Sequence, residues 1–184
     1  MSRLMHWCIT VAIAGLAIRA GAQQRPDFSG VWTTVPAPNG AAAAAPLLTG
    51  DAQFPIGDMG SGWGSPLTIT QNASHLTVAY VFFVPYDLQA PLRFVFNLDG
   101  SETRNTVMMG RGMQVQRATA MWAGDALVLS TRHVLPYPND GAQQTVEVRQ
   151  SLTIASSGSL VVETTRAGVM GGPTTTTRTV YTKR

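Results

Sequence analysis

Two histidines, His75 and His133, and two glutamates, Glu147 and Glu163, are the side chains best suited by type to move a proton on a bound substrate. His75 opens a strand after a polar turn. His133 stands near a strand end, where Val134 and Leu135 lead into Pro136-Tyr137-Pro138. An imidazole titrates near neutral pH and can act as a general base, but at a strand end a solvated or hydrogen-bonded histidine is the ordinary occupant. Asp99, Asp125 and Asp140 each adjoin a glycine, and turn chemistry accounts for them. Glu147 and Glu163 instead fall within strand patterns. Glu147 shares a strand face with Arg149, so its ordinary role is cross-strand pairing with an arginine. Pointing inward together, the two glutamates would form an acid and base pair.

Other chemistries find less support. Neither histidine has a second ligand at metal-binding spacing, and the single cysteine, Cys8, lies far from both in sequence. Gly60-Ser61-Gly62 and Gly64-Ser65 lack the strand-to-helix setting that exposes a nucleophilic serine. The apolar residues say more. Tyr80, Phe82, Phe94 and Phe96 cluster in neighbouring strands, and Met108, Met109 and Met113 flank Gly110-Arg111-Gly112. Aromatic rings with flexible methionines make an adaptable apolar lining, and Arg111 would set a guanidinium where a carboxylate head group could meet it. The ordinary alternative is a small barrel that fills its interior with such residues.

These residues sit on a chain that alternates with period two from Pro66 onward and shows almost no helical periodicity. Hairpins are expected at 67–81, 118–129 and 152–162, turning at Gln71-Asn72-Ala73-Ser74, Ala123-Gly124-Asp125 and Ser156-Ser157-Gly158-Ser159. Leu92 to Leu98 places Leu92, Phe94, Phe96 and Leu98 on one face, and threonine-rich Thr174 to Thr182 forms a last strand. The fold class expected is all-β, an antiparallel up-and-down meander of eight to ten strands closing into a barrel, with a β-sandwich as the alternative. Residues 35–65 break the alternation; their Gly/Pro-rich composition predicts a long loop in which Trp63 could fold over a cavity mouth.

The N-terminus reads as an export signal: Arg3, an apolar run from Cys8 to Ile18 too short to span a membrane, then Ala20-Gly21-Ala22. Residues 1–22 are thus expected to be removed, leaving 23–184 as a single secreted or periplasmic domain with no membrane span. The 13 basic residues less Arg3 and Arg19 leave 11 against 10 acidic ones, so the net charge falls from +3 to about +1. With Lys183 the only lysine and no basic run, no nucleic-acid footprint is present.

Asp27-Phe28-Ser29-Gly30-Val31-Trp32 opens the domain, and its Gly-x-Trp resembles the first strand of the calycin superfamily, the lipocalin-like barrels. The resemblance implies that Trp32 closes one end of a barrel, with a basic residue of a late strand, Arg178 or Lys183, packed across its ring. The whole mature chain also resembles small secreted bacterial proteins that share this opening, a Leu-Asp-Gly-Ser-Glu segment, here Leu98 to Glu102, and a Trp-x-Gly-Asp-x-Leu-Val hairpin, here Trp122 to Val128. That likeness carries fold and export, and no catalytic residue.

The function expected is binding of a small apolar or amphipathic ligand without cofactor or metal. Tyr80, Phe82, Phe94, Phe96, Met109, Arg111 and Met113 are the expected ligand contacts. The alternatives are a hydrolase-type or isomerase-type enzyme on the same scaffold, and an envelope interaction protein whose last strand offers an open edge.

Overall fold

Apolar and polar residues alternate along short segments bounded by turns, and each segment forms a strand. The computed structural model describes residues 25–35, 62–80, 91–109, 112–136, 143–167 and 173–184, without the side chains of 107–109, 112, 114, 135, 136, 143 and 144. The strands are β1 (Gly30–Thr34), β2 (Leu67–Gln71), β3 (His75–Tyr80), β4 (Leu92–Asn97) and β5 (Thr103–Met109), then β6 (Gly112–Ala123), β7 (Ala126–Pro136), β8 (Gln143–Ile154), β9 (Leu160–Arg166) and β10 (Thr175–Lys183). All ten belong to one antiparallel sheet in the order β4-β3-β2-β1-β10-β9-β8-β7-β6-β5. The expected meander is therefore present. Among the described residues there is no helix, and none long and apolar enough to cross a membrane. The expected signal, residues 1–22, lies outside the described residues.

Closure joins the first strand to the last. Trp32 lies opposite Lys183 and Thr34 opposite Tyr181, so the sheet curls into a nearly closed barrel. β10 is laddered on its other side to β9, from Thr175 opposite Arg166 to Tyr181 opposite Leu160. The threonine-rich strand is thus not the open edge that the interaction-protein reading required. The sheet's two edges are β4 and β5, and they face each other across a seam. Asn105 crosses it: Val95 N donates to its Oδ1 at 2.7 Å, and its Nδ2 donates to Val95 O at 3.0 Å. A carboxamide carries both a donor and an acceptor, so this side chain substitutes for one rung of the missing ladder.

Local chemistry sets the hairpins. The β6–β7 loop is Gly124-Asp125, closed by Ala123 opposite Ala126, with Gly124 at φ 63°; two-residue hairpin loops favour glycine at such a position. In the Gln71 to His75 turn, Asn72 Oδ1 accepts from the backbone N–H of Ser74 at 2.9 Å and of His75 at 2.7 Å. That fold-back by an Asx side chain starts β3.

The packed end of the interior gathers Phe28, Trp32, Leu76, Leu127, Leu152, Leu160 and Tyr181, all buried. Trp32 is 2% exposed, and its indole N–H donates to Phe28 O at 2.9 Å. Lys183, one of the two basic residues expected there, places its ammonium 5.6 Å from the centre of the Trp32 ring. The glycine of the Gly-x-Trp opening makes room for it. Gly30 has φ 149°, and a Cβ there would fall 2.5 Å from Lys183 Cε. Nearby, Phe28 stacks on Trp122 at 6.0 Å, and Arg25 lies 5.2 Å from the Trp122 ring centre.

Candidate binding site in the barrel

The inward-facing residues of β6 to β9 change character at one level of the barrel. Along β7 they run Leu127, Leu129, then Thr131 and His133; along β8, read toward the same end, Leu152, then Gln150 and Val148. β9 follows Leu160 and Val162 with Thr164 and Arg166, and β6 follows Ala120 and Ala118 with Gln116. The register brings these polar residues close together, staggered by about one inward position from strand to strand: Gln150 lies opposite Thr164 and Leu129, Val148 opposite Arg166 and Thr131, and Ala118 opposite Thr131. Burial of so many polar groups at one level is uncommon in a hydrophobic interior and marks a place where polar recognition is possible.

A cavity of about 120 Å³ opens at this level. One wall is aromatic: Tyr80, Phe94 and Phe96 from β3 and β4, with Trp63 beside them. Tyr80 and Phe94 stack at 5.8 Å with their planes 17° apart. The opposite wall is polar, formed by Gln116, Thr131, His133, Gln150 and Arg166. A cavity of this size has room for several waters or a small organic group.

Arg166 is 8% exposed and donates from Nη1 to Thr177 Oγ1 at 3.3 Å. The segment at Gly62 and Trp63 lies against it: a Cβ on Gly62, whose φ is 79°, would stand 3.3 Å from Arg166 Nη2. Tyr80 Oη donates to Gly62 O at 3.3 Å, so one short piece of backbone spans from the aromatic wall to the guanidinium. Burial, then the neighbouring Tyr181, pushes the Tyr80 hydroxyl up to about 12. It remains a protonated donor throughout the physiological range. Burial first and the positive charge of Arg166 second hold His133 below the usual histidine value. Its imidazole is therefore neutral at pH 7, with one nitrogen donating and the other accepting.

Of the expected ligand contacts, Tyr80, Phe94 and Phe96 line the cavity. Phe82 and Arg111 lie outside the described residues, and Met109 lies on β5 with its side chain outside them. Met113 requires a correction. It is 62% exposed on the outer surface, together with exposed Val115, because the β6 residues of opposite parity, Gln116, Ala118 and Ala120, face inward. Trp63, from the 35–65 segment, does line the cavity; residues 36–61 lie outside the described residues.

The proton-transfer candidates separate. His133 faces the cavity, whereas His75 is exposed elsewhere, its Nδ1 2.7 Å from Ser74 Oγ. Glu147 and Glu163 are exposed on the outer face, opposite Arg132 and Arg178 in the ladders, so they do not form an inward acid and base pair. Among the described residues no group of three or more His, Cys, Asp or Glu comes together to hold a metal.

Gln116, Thr131, Gln150 and Arg166 are the site residues that sequence reasoning missed. Their signal lay in parity. Counting by twos from Leu152, Leu129 and Val162 along apolar strand faces arrives at Gln150, Thr131 and Arg166, and a polar residue in phase with a core face points inward. No family model matches this chain, and no curated protein matches it.

Proposed function

We propose that this chain is an exported binding protein for a small amphipathic molecule, held between the aromatic and polar walls of the barrel cavity. The observation that carries the reading is the division of the lining, with Tyr80, Phe94 and Phe96 on one side and Gln116, Thr131, Gln150 and Arg166 on the other. An interior meant only to be filled gains nothing from amides and a guanidinium at one level, since each must be desolvated and repaid by hydrogen bonds. Apolar walls with a few convergent polar groups are how small-ligand sites combine affinity with orientation. The export reading rests on the Arg3, Cys8 to Ile18 and Ala20-Gly21-Ala22 pattern.

A catalytic reading has one observation in its favour, the neutral imidazole of His133 turned into the same cavity, where it could accept a proton from a bound substrate. The two readings part on one substitution. His133→Gln keeps a donor and an acceptor, so binding should survive while turnover by a histidine base would be lost.

The test is to express the full chain with export, purify it, and compare its native and denatured masses for a released small molecule. Tyr80→Phe and Phe94→Ala variants are measured alongside. The expected result is a released compound that Phe94→Ala no longer retains. A bound compound retained unchanged by Phe94→Ala would remove the cavity as its site.

A further inference from the structure

The polar groups that line the cavity divide into those already engaged and those still open. Arg166 donates to Thr177 Oγ1, and Gln116 and Gln150 likewise have interaction partners within the protein. Thr131 and His133, two residues apart on the inner face of β7, differ: among the described residues neither makes a side-chain hydrogen bond. The cause is register. Thr131 stands between Ala118 and Val148, and His133 opposite Val146, side chains that carry no hydrogen-bonding atom. Thr131 is only 7% exposed, yet its hydroxyl is not one of the sealed atoms without a partner, which are Thr33 Oγ1 and Trp122 Nε1. Its oxygen therefore opens on the cavity, beside the half-buried imidazole of His133.

Resting on the binding reading above, we infer that the cavity selects a neutral aromatic ring bearing a group that both donates and accepts hydrogen bonds, of which a phenol is the simplest. Thr131 and His133 receive that group, and Tyr80, Phe94 and Phe96 receive the ring. A threonine hydroxyl donates and accepts, and so does a neutral imidazole. Burial first and Arg166 second keep His133 in that neutral form. A carboxylate guest only accepts and an ammonium only donates, so either would leave half of what this pair offers unused. The opposite wall offers ring surface. Tyr80 and Phe94 are stacked 17° from parallel, and the Tyr80 hydroxyl already donates to Gly62 O, so what this wall presents to a guest is flat and apolar.

Phenol, its near-isostere toluene and the acceptor-only anisole are titrated into the purified full chain at neutral pH and followed by chemical-shift changes. Phenol should bind about fivefold or more tighter than toluene and anisole, although toluene carries more apolar surface. The double variant Thr131→Val with His133→Leu, its sheet content checked by circular dichroism, should lose that preference while holding toluene within about threefold. His133→Gln, which keeps a donor and an acceptor, should retain most of it. Equal affinities, or a preference for toluene, in the unsubstituted protein overturn the inference and leave the binding reading standing. A phenol preference that survives the double variant also overturns it, since other groups then supply the bond. Binding of none of the three overturns it too; if the purified protein releases no compound either, the binding reading falls with it. Should the double variant fail to fold, the phenol and toluene comparison decides alone, with the phenol-specific shifts expected at Thr131 and His133.

Discussion

From β1 to β4 the inward positions carry Trp32, Leu67, Ile69, Leu76, Val78, Phe94 and Phe96, whereas β6 to β9 start apolar and turn polar at Gln116, Thr131, Gln150 and Thr164. Both halves use the same alternation and the same antiparallel ladders. They differ in what the inner face is asked to do. The first half supplies stability through burial, at about 25 cal/mol per Å² of apolar surface removed from water. The second half gives up part of that gain, since buried amides and a guanidinium contribute little net stability once desolvated. Loss of stability on one side of a barrel, matched by a cavity at the same level, is the pattern expected where recognition competes with packing.

The sharpest way to break this contrast is Trp32→Ala. It removes a buried indole, its hydrogen bond to Phe28 O and the ring beneath Lys183. We expect a loss of about 3–5 kcal/mol in urea unfolding, as for other large aromatic truncations. A loss below about 1 kcal/mol would mean that the packed half does not hold the barrel together.

Next in size is the seam where the two halves meet. Asn105→Ala removes both bonds to Val95 and leaves a backbone donor and acceptor of β4 without that partner. The expected cost is about 1–3 kcal/mol, with faster hydrogen exchange at the Val95 amide than at Val78 in the intact ladder. Unchanged exchange at Val95 would show that the seam is held by side-chain packing alone.

A smaller effect tests the polar half by pH. His133 has a lowered proton affinity in the folded protein, from burial and then from Arg166. Below its ordinary value of 6.5 the unfolded chain binds a proton that the folded chain refuses, so stability falls as pH drops from 6.5 toward the folded value and then levels off. Asp27 and Asp99, both lowered chiefly by hydrogen bonds from Ser29 and Ser101, act in a separate window below 3.8. His133→Gln should flatten the first slope and leave the second. Equal slopes in both proteins would place His133 in a watery setting rather than in the cavity wall.

The smallest expected effect is Met113→Ser on the outer face, within about 0.5 kcal/mol in stability and without change in the small molecule that the purified protein retains. A clear loss of binding would return Met113 to the site and reverse the assigned facing of β6.

The difference between the halves also explains what was legible beforehand. Tyr80, Phe94 and Phe96 sit in strands whose apolar residues all share the inward phase, so their side of the cavity follows from alternation. β6 inverts the usual cue at one end, with Met113 and Val115 outside and Gln116 inside. There hydrophobicity points the wrong way, and only the parity carried from Ala118 and Ala120 gives the right face.

By itself the sequence determined most of the antiparallel strands, three of their hairpins and the Gly30 to Trp32 opening, though not β5 or its hairpin with β6, because alternation, Gly-Asp and Asx turns act over a few residues. Only the tertiary structure decided which face of β6 is inside, that Lys183 rather than Arg178 covers Trp32, and that Gln116, His133, Gln150 and Arg166 line one cavity. Where apolar residues fall on both faces of a strand, as in β6, a period of two leaves two candidate faces, and the choice between them is made by ladder register and closure of β1 on β10, contacts between residues distant in the chain.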